Sequence, residues 1–355
     1  MGRSDADRPG VLSPAAAEPD WHHKPWYSLD AWCKNTFGRK LYKVALDIGC
    51  TCPNRDGTAG TEGCTFCSAG GSGDFAVSGG DSLRSRLAEG ADRLRNKWPD
   101  SVPGSAGAFP EGGAKRGLQT PRLIAYFQSY TNTYGDPDRL ASLFGEALSF
   151  PETAGISIAT RPDCLDEEIL ARLSGLRRAF PDKFIWIELG LQTIHDSTAL
   201  RIRRGYPSRV FYDAMERLHA LGFPVIVHAI LGLPGESRAE ILQTMHAVNG
   251  VRPFGVKLQL LHILKGTAMA GEYASGAVRP LTKEEYVDLV TDCIASLSPE
   301  ICIHRITGDG PAQLLIAPLW SKNKRDVLNR ILAGMKEKGI RQGSYYEPSG
   351  TADSL

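Results

Sequence analysis

The segment DIGCTCPNRDGTAGTEGCTFCS, residues 47–68, holds four of the chain's eight cysteines. Cys64 and Cys67 form a C-x-x-C pair, and Cys50 and Cys52 precede them across a loop rich in Gly, Thr, Asn and Asp. A globular core has no need of four thiols so close together, whereas a metal ion or an iron–sulfur cluster does. Two donor sets are open on spacing alone. All four thiolates would make a tetrahedral zinc site, although Cys50 and Cys52 stand closer in sequence than zinc partners usually do and would need an extended chain to face one way. Cys52, Cys64 and Cys67 alone would hold a 4Fe-4S cluster and leave its fourth iron open to a substrate or cofactor. Cys50 is then spare, a small buried hydrophobe. Cys33, Cys164, Cys293 and Cys302 are scattered and read as core or helix positions.

On either side of this loop the chain alternates. KVALDI (43–48) is an apolar strand running into the cysteines, residues 68–80 are Gly/Ser-rich, and Leu83, Leu87, Leu94 and Trp98 fall at helical spacing over 81–98. Residues 101–118 read as an exposed Gly/Pro/Ala insertion. Strands follow at PRLIAYF (121–127), GISIAT (155–160), FIWIELGL (184–191), PVIVHAIL (224–231), GVKLQLL (255–261) and ICIHRI (301–306). Helices stand between them, opened by Asp136-Pro137, Asp166, Asp196, Ser208, the Ser237-x-x-Glu240 box and the Thr282-x-x-Glu285 box, with a last amphipathic helix over 323–338. Continuous apolar strands alternating with helices predict a parallel sheet covered by helices. Six β/α units and a seventh short strand are too few for an eight-fold barrel and predict a partial, TIM-like (β/α)6 barrel. Chemistry in such barrels sits at the C-terminal strand ends. The polar motifs lie there: the cysteine loop, Gln128-Ser129-Tyr130, Thr160-Arg161-Pro162-Asp163, Gln192, GLPGE (232–236) and Leu264-Lys265-Gly266.

A chain of 355 residues, 42% apolar, suits one large domain with appendages. The expected organisation is a disordered tail (1–20), a Trp-rich segment packed on the body (21–42), the partial barrel (43–280), a C-terminal extension (281–343) and a flexible tail (344–355). The net charge of +1 argues neither for nor against nucleic acid. The N-terminus carries no apolar leader and no run reaches a membrane span, so a cytoplasmic protein with reduced thiols and no membrane partner is expected.

The segment LDIGCTCPNRDGTAGTEGCTFC (46–67) resembles the radical S-adenosylmethionine (SAM) proteins related to the Elongator catalytic subunit, in particular the bacterial YhcC-type group. The likeness continues through YFQSYTNTY (126–134), ISIATRPDCL (156–165), IELGLQTIHDSTALRIRRGY (187–206), HAILGLPGE (228–236) and ITGDGPAQLLIAPLWS (306–321), roughly residues 25–335. It selects Cys52, Cys64 and Cys67 as ligands of a 4Fe-4S cluster, although their spacing departs from the superfamily's commoner C-x3-C-x2-C. It implies the radical SAM partial barrel with N- and C-terminal extensions, SAM bound at the open iron, and a flavodoxin- or ferredoxin-type electron donor. It also implies an enzyme that cleaves SAM reductively to a 5′-deoxyadenosyl radical.

For SAM contacts, the matching positions are Gln128, Ser129 and Tyr130 in place of a Gly-Gly-Glu element, Gln192 toward the ribose, and Gly232 with Glu236 in the GLPGE loop. Arg161 and one of Arg203 or Arg204 are placed to meet a carboxylate. Glu188, a carboxylate inside an apolar strand, should face a cation or a ligand. His304 and Asp309 are candidates for substrate contact. His228 is expected inside the barrel or satisfied in the core. The kinship implies a tRNA wobble uridine as substrate, to which the sequence adds only the cations Lys322, Lys324, Arg325, Arg330, Lys336, Lys338 and Arg341 near the last helix. The alternatives are the same chemistry on a small metabolite, or a zinc-bearing RNA- or protein-binding barrel.

Overall fold

The computed structural model describes residues 19–77, 82–95, 122–308 and 310–348. Seven parallel strands form one sheet in the order β1 (Tyr42–Leu46), β2 (Leu123–Phe127), β3 (Thr153–Thr160), β4 (Phe184–Gln192), β5 (Val225–Leu231), β6 (Gly255–Leu260) and β8 (Cys302–Arg305). Sequential parallel neighbours joined by helical crossovers curl into a half-barrel. Its seventh strand comes from the segment expected to be an extension, so the sheet runs past residue 280. A second, two-stranded antiparallel ladder pairs β7 (Ile263–Leu264) with β9 (Leu315–Ala317).

The helices end as their sequences dictate. Asp136 and Asp166 cap α3 (Pro137–Ser149) and α4 (Glu167–Ala179). Both capping boxes form, at Ser237/Glu240 on α7 (Arg238–Gly250) and Thr282/Glu285 on α9 (Lys283–Ser296). The helix expected over 81–98 is described over Leu83–Arg95, as α2. The insertion at 101–118 and the first 18 residues lie outside the described residues. Of the expected C-terminal tail, residues 344–348 are described, and the Tyr345 backbone N–H donates to the Ala295 carbonyl.

Strand alternation sorts side chains into two cores. Outward residues such as Val44, Leu46, Phe127, Ile158, Ile187 and Val227 pack under the helices. Inward residues at the N-terminal strand ends, among them Ile124, Phe184, Trp186, Ile226 and Cys302, form a separate floor. Trp32 of α1 (Leu29–Phe37) closes that floor, with ring centroids 4.9 Å from Trp186 and 5.6 Å from Phe184. The Trp-rich N-terminal segment is thus a plug, held also by a bridge from Ser28 to Ile303. With the bottom sealed, the C-terminal strand ends are left to form the mouth.

Candidate active site

A cavity of about 520 Å3 opens at that mouth, a size typical of small-molecule sites. Cys52, Cys64 and Cys67 line it. Cys50 does not: it is buried on the helix side of the sheet beside Arg139, its thiol pushed up to about 11 by burial. The zinc reading that recruits all four thiolates therefore fails: the chain leaves the strand before Cys50, with Gly49 at a φ of 71°, so Cys50 and Cys52 lack the extended backbone that would face them one way.

The three remaining thiols suit a cationic centre. Burial, then the neighbouring Cys67 and Cys52, pushes Cys64 up to about 12, and burial raises Cys67. Thiols buried this way lose their protons only against strong positive charge, which the irons of a cluster would supply. Donors already point at the sulfurs. Asn54 Nδ2 lies 3.5 Å from Cys64 Sγ and Arg161 Nη1 lies 3.9 Å from Cys52 Sγ. Among the described residues, no three His, Cys, Asp or Glu side chains gather as tightly as a single metal ion requires.

The cysteine loop is braced from several directions, partly by residues that sequence reasoning overlooked. Arg55 Nη2 donates to the carbonyls of Cys67 (3.0 Å) and Ser68 (2.7 Å), and Asn54 Nδ2 donates to that of Arg203 (2.5 Å). Their signal was present in the TCPNRDG context, but nothing local says what they brace.

Gln128 and Tyr130 line the cavity, yet their polar atoms are engaged with the loop. Gln128 Nε2 donates to Ser72 O at 2.7 Å, and the Tyr130 hydroxyl donates to Ala69 O. Ser129 turns away from the cavity and is buried against Gly73, where a Cβ would stand 1.9 Å from Ser129 Oγ. Gln128 and Tyr130 thereby tie the loop to the end of β2, where the Tyr130 backbone N–H also donates to the Gly71 carbonyl.

Arg161 lies beside Cys52, but its fork is taken: Nε and Nη2 donate to Asp163 at 2.9 and 2.6 Å. Arg204 is 1% exposed and donates to the carbonyls of Leu191 (2.5 Å), Thr193 (2.6 Å) and Tyr206 (3.1 Å) and to Ser208 Oγ (3.1 Å). A guanidinium so committed ties the loop after β4 together and has no free edge for a ligand carboxylate. Arg203 pairs with Glu62. Gln192 lines the cavity in a left-handed conformation (φ 61°), its Oε1 3.3 Å from the Tyr206 hydroxyl.

Gly232 and Glu236 do not line the cavity. Gly232 backs onto Leu281. Glu236 is largely buried with one oxygen unpartnered, and burial raises its pKa.

Deeper in, Glu188 meets the cations its sequence position called for. Its carboxylate takes Lys43 Nζ (2.9 Å), Lys257 Nζ, His228 Nε2 (2.7 Å) and Ser157 Oγ (2.5 Å). These partners hold it far below the usual carboxylate range despite complete burial. With its oxygens so occupied, Glu188 acts as the internal counter-ion of this layer. Lys257 Nζ also reaches the Tyr126 hydroxyl at 2.9 Å. Lys43 and Lys257 carried the same signal as Glu188, a charge inside an apolar strand. His228 is therefore both inside the barrel and satisfied. His304 faces the interior, with neither ring nitrogen partnered. Asp309 lies outside the described residues. Of the C-terminal cations, Arg330 and Lys338 are spent on Asp326 and on Asp288.

The sequence matches the model of the Radical SAM superfamily over residues 52–248, and that of the Radical_SAM C-terminal domain over 253–337. The chain belongs to the radical SAM superfamily. Radical SAM enzymes use a 4Fe-4S cluster and SAM, and this one does so within a half-barrel that has the superfamily's fold. The chain is 40% identical to YtqA of Bacillus subtilis over 324 residues, covering 91% of this chain and 94% of YtqA. It is 33% identical to YhcC of Escherichia coli, covering 87% and 91%. Human Elongator complex protein 3 is 26% identical over 206 residues, 55% of this chain and 36% of that protein. The archaeal Elp3 of Methanocaldococcus infernus shares the fold at a TM-score of 0.59 and 15% identity, covering 85% of this chain and 64% of that one. This radical SAM chain is thus YhcC-type and Elp3-like. No helix among the described residues is long and apolar enough to cross a membrane.

Proposed function

We propose that this radical SAM enzyme modifies a wobble uridine of tRNA, with Cys52, Cys64 and Cys67 holding the cluster and the cavity above Glu188 receiving SAM and the target base. The observation that carries the site is the opening of these three thiols, without Cys50, into one cavity at the C-terminal strand ends. The kinship with Elongator complex protein 3 supports the tRNA reading. Held by Cys52, Cys64 and Cys67, a reduced 4Fe-4S cluster would supply the electron for reductive cleavage of SAM into methionine and a 5′-deoxyadenosyl radical. The chain's own residues place and shield that chemistry. Asn54 and Arg161 direct N–H groups at two of the sulfurs, Arg55, Gln128 and Tyr130 fix the loop, and Gln192 borders the space for the nucleoside. Trp32 and the floor aromatics keep water out from below.

Two measurements test the reading. Anaerobically reconstituted protein with SAM and dithionite should yield 5′-deoxyadenosine. Mass spectrometry of tRNA nucleosides from a strain lacking the gene should show a changed wobble-uridine profile; an unchanged profile sinks the tRNA assignment and leaves a small metabolite as substrate.

A further inference from the structure

The middle layer of the half-barrel carries more positive charge than it can neutralise. Lys43 on β1, Lys257 on β6 and Arg305 on β8 all line the cavity, and Glu188 is the one carboxylate that borders it at this depth. Both lysines share that carboxylate. Arg305 makes no ion pair among the described residues, and its charge is felt by Tyr126, His228 and Lys257. Three cations against one carboxylate leave a surplus of two. With Lys257 neutral, as its burial and the nearby Lys43 favour, the surplus is still one. Arg305 is only half-buried, but a cation at the wall of a cavity with no counter-charge beside it is unfavourable, so the site has an anionic visitor to gain.

A bulge in the sheet points the same way. The pairing of β6 with β8 shifts register between Val256 and Lys257, which sets Arg305 directly beside Lys257. On a regular strand His304 and Arg305 would face opposite sides; here Arg305 lines the cavity while the His304 ring lies on Trp186, 5.1 Å between centroids.

We propose that Lys43, Lys257 and Arg305 form a receptor for an anionic group of the substrate, a carboxylate or a phosphate, at mid-depth of the half-barrel beneath the cysteine loop. The layer is distinct from the thiols and from Arg161, which stand at the mouth. An anion here would draw on charge-assisted hydrogen bonds, bidentate in the case of Arg305. It would also orient the attached part of the substrate upward, toward SAM. The inference rests on the radical SAM reading and not on the tRNA assignment, and the nucleoside profile and the experiment below fail independently.

The test is thermal unfolding of the cluster-loaded enzyme under anaerobic conditions. Sodium phosphate or sodium acetate replaces sodium chloride at constant ionic strength, with and without saturating SAM. A ligand of the native state raises Tm saturably. At least one of the two anions should do so, with SAM present, and its half-saturation should weaken at least tenfold in Arg305→Gln and in Lys43→Gln. Arg279→Gln, on an exposed pair with Glu285, should leave it unchanged. Preference for phosphate assigns a nucleotide or backbone phosphate; preference for acetate assigns a carboxylate on the substrate. If Lys43→Gln fails to load its cluster, Arg305→Gln carries the comparison, because it breaks no ion pair among the described residues. No saturable rise with either anion, an equal rise in Arg305→Gln, or loss of the effect when SAM is added would overturn the proposal. The last result would assign the layer to the carboxylate of SAM itself.

Discussion

Each side chain in the mouth is set by what already occupies its polar atoms. Cys50 and Cys52 are two residues apart, and one lies under the helices while the other lines the cavity. Cys67→Ala should therefore abolish the cluster and SAM cleavage. Cys50→Ala should retain both, at a cost of about 1 kcal/mol for a small buried side chain. Iron and sulfide content with visible absorbance checks this, and loss of iron from Cys50→Ala would make Cys50 a cluster ligand after all. Arg204 is the opposite case, a charged residue used as a fastener. Arg204→Gln strands several buried carbonyls and should lower stability by about 3 kcal/mol, read as a reduced urea midpoint.

Strand β4 shows how one element serves three levels of the molecule. Its inward positions run Trp186, Glu188, Gly190 and Gln192, from sealed floor through charged layer to open mouth. Its outward positions, Ile185, Ile187, Leu189 and Leu191, anchor it to the helices. The period of two alone separates these roles. Helix α1 completes the floor from outside the alternating units, with Trp32 packed against Phe37, Phe184, Trp186 and Phe254. Trp32→Ala should cost about 3–5 kcal/mol through the cavity it leaves. Denaturant unfolding would register that loss, and a change under 1 kcal/mol would mean α1 is not part of the core.

The chain as a unit should weaken on acidification. Burial pushes His228 and His262 down to about 4, and lowers His304 as well. Imidazoles of the unfolded chain titrate near 6.5, so between 6.5 and 4 the unfolded state binds more protons and stability falls with pH. From pH 7.5 to 6.0 the three together should cost about 2 kcal/mol. Glu188, its pKa depressed by Lys257 and Lys43 against the opposing effect of burial, extends the loss below about 4.5. Urea midpoints at the two pH values measure the first window; equal midpoints would mean these rings titrate alike in the folded and unfolded protein.

The alternation of strands and helices and the capping boxes were legible from the chain, since period and cap are local properties; spacing left two cysteine donor sets open, and only the family resemblance chose Cys52, Cys64 and Cys67. So was the oddity of Glu188, because a charge in an apolar strand needs a partner wherever the strand lies. Its partners were not legible: Lys43, Ser157, His228 and Lys257 lie on four other strands, and only strand order and register bring them to one depth. The same reason separates Arg161, Arg204, Gln128 and Tyr130 from their expected roles. A side chain's type says what it can bind, but the nearest competing partner decides what it does bind. In this protein that competitor is usually a backbone carbonyl or carboxylate brought close by the closing of the half-barrel.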